Sequence, residues 1–209
     1  MNSEDQTVIV IDDDHRIREA LSSLISSAGF RVAAYASAAD FAGSEMPDVP
    51  SCIVLDLQLP DMNGLDMQRE LAELQGPPIV FITGYGDIPS SVQAMKAGAI
   101  DFLPKPFEEQ KLLNAIDAAI AKDREVRKQR LQIVELTKSY SRLTRREREV
   151  LPYVVAGYAN KQTAAELGIA EITVGVHRGQ IMRKMYARSL AELIRMADAL
   201  ALPPAQKYS

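Results

Sequence analysis

Val8-Ile9-Val10-Ile11-Asp12-Asp13 decides the fold, because this short apolar run ends abruptly in two carboxylates. Four more short apolar runs follow along the first half of the chain, at Arg31–Tyr35, Cys52–Leu55, Ile79–Ile82 and Ile100–Leu103. They are rich in Val and Ile, as is typical of strands buried on both faces of a parallel sheet. With amphipathic stretches between them, they predict a doubly wound α/β domain of five parallel strands.

The stretches between the strands predict three amphipathic helices, one of which Asp14 caps. Their apolar faces are expected at Ile17, Leu21, Leu24 and Ala28, at Leu65, Leu71 and Leu74, and at Val92, Met95 and Ala99. Gly29 and Gly98 are expected near the ends of the first and third helices.

Chemically active side chains fall at the carboxyl ends of these strands, which is where parallel sheets of this type bind ligands. They are Asp12, Asp13, Asp56, Thr83 and Lys105. A lone Asp at a strand end is ordinarily a turn or cap residue. A functional interpretation is favoured only because five such residues fall at one edge of the sheet. Packed carboxylates repel unless a cation lies among them, and oxygen ligands favour Mg²⁺. A carboxylate beside Mg²⁺ can attack a phosphoryl group, whose oxygens Lys105 and Thr83 could then hold.

The charge of the 209-residue chain is uneven along its length. Residues 1–122 carry a net charge of −11 and residues 123–209 carry +7, within a total of −4. An acidic half suits a cation and a basic half suits a polyanion such as DNA, although a chance difference between solvated helix faces is the plainer alternative.

Composition excludes several classes of protein. No apolar run approaches the ~18 residues of a membrane-spanning helix, and the acidic start is unlike a secretory signal, so we expect a cytoplasmic protein without a membrane partner. Cys52 is the single cysteine, which excludes an internal disulfide, and with only two His a zinc site is not expected.

Between the two halves, residues 107–140 contain no Gly or Pro, which predicts that the last helix of the first domain continues into a helical linker. Ala119, Val126, Ile133 and Tyr140 recur every seven residues, but Asp123 and Arg130 hold the matching second positions. A solvated helix is therefore favoured over a coiled coil. We expect a first domain over 1–122, a linker over 123–140 and a second domain over 141–209.

The second domain is predicted to contain four helices. Thr144 with Glu147 and Ser189 with Glu192 form capping boxes that mark two helix starts. Between them, Asn160–Leu167, a turn at Gly168 and a helix from Glu171 to about Met185 give a helix-turn-helix pattern. Val174, His177, Ile181 and Met185 should face inward, and Val176, Gln180, Arg183 and Lys184 outward. From the pattern alone, a DNA-binding domain and an ordinary helical bundle are equally supported.

The first domain resembles the receiver domains of two-component response regulators, which have a flavodoxin- or CheY-like fold. The resemblance is carried by Ile11-Asp12-Asp13, Leu55-Asp56, Ile82-Thr83-Gly84 and Leu103-Pro104-Lys105-Pro106, and residues 83–87 and 94–99 are similar to the FixJ subgroup. It implies that a sensor histidine kinase phosphorylates Asp56. It also implies that Asp13, Asp56 and the Gln58 main-chain carbonyl bind Mg²⁺ or Mn²⁺ directly, and that Asp12 acts through water.

The same resemblance implies further roles. Lys105 would contact the phosphoryl group and precede a cis peptide bond to Pro106. Thr83 and Phe102 would form the switch, in which the hydroxyl moves toward the phosphoryl group and the aromatic ring turns inward. From the residues alone, a plain core position is the favoured interpretation of Phe102.

The second domain resembles the LuxR-type helix-turn-helix, through Leu143–Leu151, Ala156-Gly157, Asn160-Lys161-Gln162, Ala165–Ile169 and Thr173–His177. The resemblance implies a FixJ/NarL-type transcription regulator that binds double-stranded DNA, works with RNA polymerase and forms a homodimer on phosphorylation, with Leu190–Leu200 as a dimer contact on DNA. The expected DNA-contacting residues are Lys161, Thr173, Val176, His177, Arg178, Gln180, Arg183 and Lys184. Gly175 and Gly179 depart from the family pattern, and each costs roughly 0.5–1 kcal/mol relative to Ala in a helix.

Two other functions are compatible with parts of this pattern. A Mg²⁺-dependent phosphohydrolase could use Asp56 as nucleophile, but such enzymes need an acid/base two residues later, where Gln58 cannot shuttle protons. An interaction module that has lost DNA binding would account for Gly175 and Gly179. The regulator, a phosphoacceptor with slow self-dephosphorylation at most and not a turnover enzyme, is the function we expect.

Overall fold

The computed structural model describes residues 6–84 and 88–205. Residues 1–5, 85–87 and 206–209 lie outside it, and 85–87 belong to the stretch that resembles the FixJ subgroup. The chain divides into two compact units between Arg127 and Lys128. The sequence-based boundaries after residues 122 and 140 stay predictions. In the described residues, every helix is too short or too polar to cross a bilayer.

The first unit contains a single sheet. Its elements are β1 (Thr7–Ile11), α1 (His15–Ser27), β2 (Arg31–Tyr35), α2 (Ala38–Ala42), β3 (Ser51–Asp56), α3 (Gly64–Glu73), β4 (Ile79–Thr83), α4 (Ile88–Lys96), β5 (Asp101–Pro104) and the start of α5 (Glu109–Ser141). All strand pairs are parallel, in the order β2-β1-β3-β4-β5. This order reverses between β1 and β3, which confirms the doubly wound architecture.

The core lies on both faces of the sheet because successive strand residues point to opposite sides. On β1, Val8 and Val10 pack with residues of α1 and α5, whereas Ile9 and Ile11 pack with residues of α2, α3 and α4. The central strands β1, β3 and β4 are buried along their whole length. The edge strands β2 and β5 are only partly buried. The prediction of burial on both faces is therefore confirmed only in part for these two: their residues pack against the core on both faces but stay partly exposed, since an edge strand has a neighbour on one side only.

Two helical predictions in this unit were wrong. Leu74 is 79% exposed at the end of α3, so it does not belong to a core face. On α4 the buried residue is Ala94, while Val92 and Met95 are each 46% exposed. Leu, Val and Met occur on surfaces as well as in cores, so a few of them at helical spacing do not identify the buried face of a helix. The five-residue helix α2 was not predicted at all.

Helix α5 confirms the long, uninterrupted helix predicted for the linker. Its first turns are anchored by Leu112 and Ile116, which are fully buried. Asp123, expected to be a solvated charge, is instead buried, and its carboxylate accepts hydrogen bonds from the Ser51 amide (2.8 Å) and Arg127 Nε (2.7 Å). An opposite charge and an amide donor make this burial possible.

The second unit contains the end of α5 and four further helices, α6 (Arg145–Val155), α7 (Asn160–Leu167), α8 (Glu171–Lys184) and α9 (Leu190–Ala199). The Thr144–Glu147 capping box is present, and Gly168 ends α7 in the left-handed conformation (φ 64°) that favours glycine. The second box is only half correct. Ser189 caps the Glu192 amide, but the Glu192 carboxylate accepts from the Arg188 amide instead of closing the box.

Candidate functional site

The carboxyl ends of neighbouring strands β1 and β3 bring three carboxylates together. Asp12 and Asp13 follow β1 and Asp56 ends β3, and one oxygen of each lies within 4.8 Å of the others. Gly64 permits this arrangement, because a Cβ at that position would lie 2.8 Å from the carbonyl oxygen of Asp56. The structure therefore confirms the predicted acidic cluster at this edge of the sheet.

Lys105, which follows β5, lies against two of the three carboxylates. Its Nζ donates to Asp12 Oδ2 at 2.7 Å and to Asp56 Oδ2 at 2.6 Å. Burial raises the pKa of Asp12, although Lys105 and the Asp14 amide favour its charged form. Burial lowers the pKa of Lys105, but its bonds to the two carboxylates outweigh this and leave the pKa raised.

The pocket has the charge and ligand chemistry that a divalent cation requires. Three carboxylates and one ammonium leave a formal charge of −2 in a site where Asp12 is fully buried and Asp56 is 8% exposed. A hard divalent ion would neutralise that charge with oxygen ligands alone. The residues present therefore fit a metal ion, and the acidic pocket could bind one.

The other predicted receiver residues lie on β4 and β5 or close to Asp56 in the chain. Thr83 ends β4 and is 1% exposed, and its carbonyl oxygen accepts from the Lys105 amide at 2.7 Å. The Lys105–Pro106 bond is cis, as the family resemblance implied. The main-chain N–H of Gln58 donates to Asp56 Oδ1 at 3.1 Å. Phe102 is half-buried, with its ring centroid 6.1 Å from that of Phe81. The assigned roles of these residues stay predictions.

Arg18 is a residue of this site that the sequence analysis missed. Its Nη1 donates to the main-chain carbonyl oxygens of Asp12 (2.7 Å) and Asp13 (2.8 Å). These bonds fix the backbone of both acidic residues. Arg18 lies one turn into α1, and Asp14 caps the start of that helix, as predicted. An Arg that binds main-chain carbonyls leaves no pattern of side-chain types, and only its place one turn after the cap could have indicated it.

We expect Arg18→Ala to weaken divalent-ion binding by roughly 10-fold, because the carbonyls that orient Asp12 and Asp13 would lose their donor. Titration of the unphosphorylated chain with Mn²⁺, followed by electron paramagnetic resonance, measures this directly. Lys at position 18 should restore part of the affinity, and Arg16→Ala on the exposed side of α1 should leave it unchanged. An unaltered Mn²⁺ affinity in Arg18→Ala would show that these bonds do not organise the pocket.

In the second unit, the inward face of α8 agrees largely with prediction. Val174, Ile181 and Met185 are buried in the core of the unit, while His177 is only half-buried. Lys161 is exposed on α7, and Thr173 is half-buried near the start of α8. The helix-turn-helix therefore packs through the residues that the periodicity selected, with His177 less enclosed than expected.

Two of the expected DNA-contacting cations make hydrogen bonds within their own unit. Lys184 Nζ donates to both carboxylate oxygens of Glu147, at 2.7 and 2.9 Å, and so does not point freely outward as predicted. Arg178 Nη1 donates to the Tyr158 carbonyl oxygen at 2.9 Å. Burial raises the pKa of Glu147, but the bonds from Lys184 and Thr144 outweigh it and leave the pKa lowered. A buried carboxylate needs such a partner, and this need draws Lys184 inward.

Comparison with known proteins identifies relatives across both units. Residues 8–117 match the model of the response regulator receiver domain, and residues 141–197 match that of the bacterial regulatory proteins of the luxR family. Nodulation protein W of Bradyrhizobium diazoefficiens is 50% identical over 93% of this chain and 86% of its own. The structure of response regulator StyR is 48% identical, with a TM-score of 0.81 over 93% of this chain and 98% of StyR. Full-length FixJ from B. japonicum is 36% identical, with a TM-score of 0.55 over 95% of this chain and 98% of FixJ.

Proposed function

The chain belongs to the two-component response regulators of FixJ type, in which a receiver domain precedes a LuxR-family DNA-binding domain, and from this premise we propose that phosphorylation of Asp56 controls its binding to DNA. The observation that carries the proposal is the cluster of Asp12, Asp13 and Asp56 with Lys105 at the carboxyl ends of parallel strands. A sensor histidine kinase would supply the phosphoryl group, and the protein would work in the cytoplasm.

In the proposed site, Asp13, Asp56 and the Gln58 main-chain carbonyl would hold Mg²⁺ or Mn²⁺ directly, and Asp12 would act through water. The bound ion would neutralise charge on the phosphoryl oxygens.

The chemical step is the attack of an Asp56 carboxylate oxygen on phosphorus. A bond from that oxygen to phosphorus forms as the bond from phosphorus to the donor's leaving group breaks. Lys105, already 2.6 Å from Asp56 Oδ2, would then pair with the phosphoryl oxygens, and the Thr83 hydroxyl would donate to one of them. Gln58 supplies no acid/base group for rapid hydrolysis, which supports a regulator and not a turnover phosphohydrolase.

The proposed output passes from Thr83 and Phe102 to the face formed by α4, β5 and the start of α5. Ile88, Val92 and Met95 leave an exposed apolar surface on α4, which supports pairing of two chains in a homodimer. Release of the second domain is the alternative route. In either case α8 would enter the major groove, α9 would contribute to the dimer on DNA, and RNA polymerase would be the downstream partner.

Selection of bound fragments from genomic DNA, with and without acetyl phosphate plus Mg²⁺, tests the proposal. We expect treatment to enrich a limited set of sites and to raise affinity roughly 10-fold or more, because pairing makes the second DNA contact nearly intramolecular. Identical affinity in both arms would contradict phosphorylation control. No binding of any fragment, even at low salt, would instead favour an interaction module that has lost DNA binding.

A further inference from the structure

The outward face of α8 carries two exposed apolar side chains beside the exposed Arg183. Ile172 is 79% exposed and Val176 is 58% exposed. At 100° per residue, they lie on the side of the helix opposite the buried Val174 and Ile181. Two such side chains one turn apart form a small exposed apolar patch, a feature that often marks a binding surface.

Two glycines share this face, and packing requires neither of them. A Cβ at Gly179 would meet nothing within 4 Å, and one at Gly175 would meet only Asn160 Nδ2 at 3.5 Å, an ordinary contact. Glycine weakens a helix interior, so its presence here has a cost that the fold does not explain. Together the two positions leave a shallow notch beside Ile172 and Val176, where a partner could approach the helix backbone closely.

Several polar side chains of α8 already make hydrogen bonds within the unit. Arg178 and Lys184 bind groups of their own unit, and Arg183 donates to Gln180 Oε1 at 2.6 Å. The net charge of +7 over residues 123–209 nonetheless provides attraction to phosphates. The unit therefore combines long-range attraction to DNA with a helix face that also offers apolar contacts.

We propose that Ile172 and Val176 read the 5-methyl groups of thymine in the major groove, and that Gly175 and Gly179 provide the close approach this needs. The thymine methyl is the apolar group that base edges present in this groove, so it is the matching partner for such a face. The inference rests on the proposed function, since it requires α8 to be the helix that enters the groove.

Replacement of thymine by deoxyuridine tests the proposal, because it removes the methyl group and keeps base pairing. Each thymine of a selected site is replaced in turn, and binding of the full chain is measured by fluorescence anisotropy at one fixed salt concentration. We expect one or two positions per half-site to lose about 4-fold in affinity, the effect of one buried methyl-sized group. For Ile172→Ser or Val176→Ser, the penalty at the matching position should disappear.

Leu74→Ser is the matched control, because Leu74 has the same 79% exposure in the other unit; this variant should keep every deoxyuridine penalty. A wild-type chain that binds the selected site but is insensitive to deoxyuridine at every position would overturn the inference. The same applies if the penalties persist in both serine variants. Failure to bind any DNA would contradict the proposed function itself.

Variants at Gly179 test the role of the notch in the same assay. Gly179→Ala should raise the melting temperature of the chain and yet weaken binding, and Gly179→Leu should weaken it further, because larger side chains block the approach. These opposite effects on stability and affinity distinguish a role in binding from one in folding. Wild-type affinity in Gly179→Leu would overturn the assignment of the notch.

Discussion

Asp56→Asn is expected to reduce labelling of the protein by acetyl phosphate more than about 1,000-fold, since removal of an enzyme's nucleophile commonly has at least this effect. The amide is similar in shape but carries no negative charge and is a poor nucleophile. It would also withdraw one of the two carboxylates that bind Lys105, leaving Asp12 at 2.7 Å. The phosphate-dependent difference in DNA affinity should disappear together with the label.

The control for this prediction is Asp66→Asn. Asp66 is an exposed carboxylate on α3 that pairs with Arg69 at 2.8 Å, and its replacement should leave labelling unchanged. Thermal unfolding of both variants establishes that the receiver domain still folds. A persistent response to acetyl phosphate in a folded Asp56→Asn protein would mean that another residue accepts the phosphoryl group.

Glu147→Ala is expected to destabilise the second unit by about 3 kcal/mol, because it leaves Lys184 without its partner in a partly buried site. The Glu147 side chain is 4% exposed and that of Lys184 is 24% exposed. Because Lys184 is still partly exposed, this loss of stability lies at the lower end of the range that is usual for breaking a buried ion pair. The same change removes the hydrogen bond that the Thr144 amide donates to Glu147 (2.7 Å), and thus half of the capping box of α6.

Urea unfolding of the full chain, followed by the helical signal, measures this loss in the transition of the second unit. Glu149→Ala is the control on the same helix, because Glu149 pairs with two exposed arginines and its loss should cost much less than that of Glu147. If the two variants unfold alike, the Glu147–Lys184 pair does not stabilise the unit. In the double variant Glu147→Gln/Lys184→Met, part of the loss should be recovered, since no charge is left unpaired.

The same ion pair predicts how stability depends on pH. The pKa of Glu147 in the folded protein lies below its ordinary value of 4.5, since hydrogen bonds from Lys184 and Thr144 outweigh the effect of burial. Its contribution is therefore complete above pH 4.5 and is lost as the pH falls through the folded-state pKa. In Glu147→Gln this part of the acid sensitivity should be missing.

The acidic pocket could be predicted from sequence because it depends on strand ends alone. Once Val8–Ile11 and Cys52–Leu55 are identified as parallel strands, Asp12, Asp13 and Asp56 must meet at one edge of the sheet. The position of Arg18 could not be predicted in this way, because its partners are main-chain carbonyls that every residue carries.

The surface of α8 was less predictable for a related reason. Lys184 is separated from Glu147 by 37 positions, so no local pattern indicates their ion pair. Periodicity placed Val174 and Ile181 correctly in the core, but it does not say which outward cations bind within the unit. On α4 the same rule selected Val92 and Met95, which are exposed, because a short helix with apolar residues on two sides has no single apolar face.

Mass spectrometry of the chain after reaction with acetyl phosphate and Mg²⁺ tests the central claim most directly. Borohydride reduction before digestion converts an aspartyl phosphate into a stable homoserine and so marks the acceptor. We predict modification at residue 56 alone, and none when the divalent ion is removed by a chelator. Modification at another residue, or equal labelling at residue 56 without a divalent ion, would contradict a metal-assisted phosphoacceptor at the end of β3.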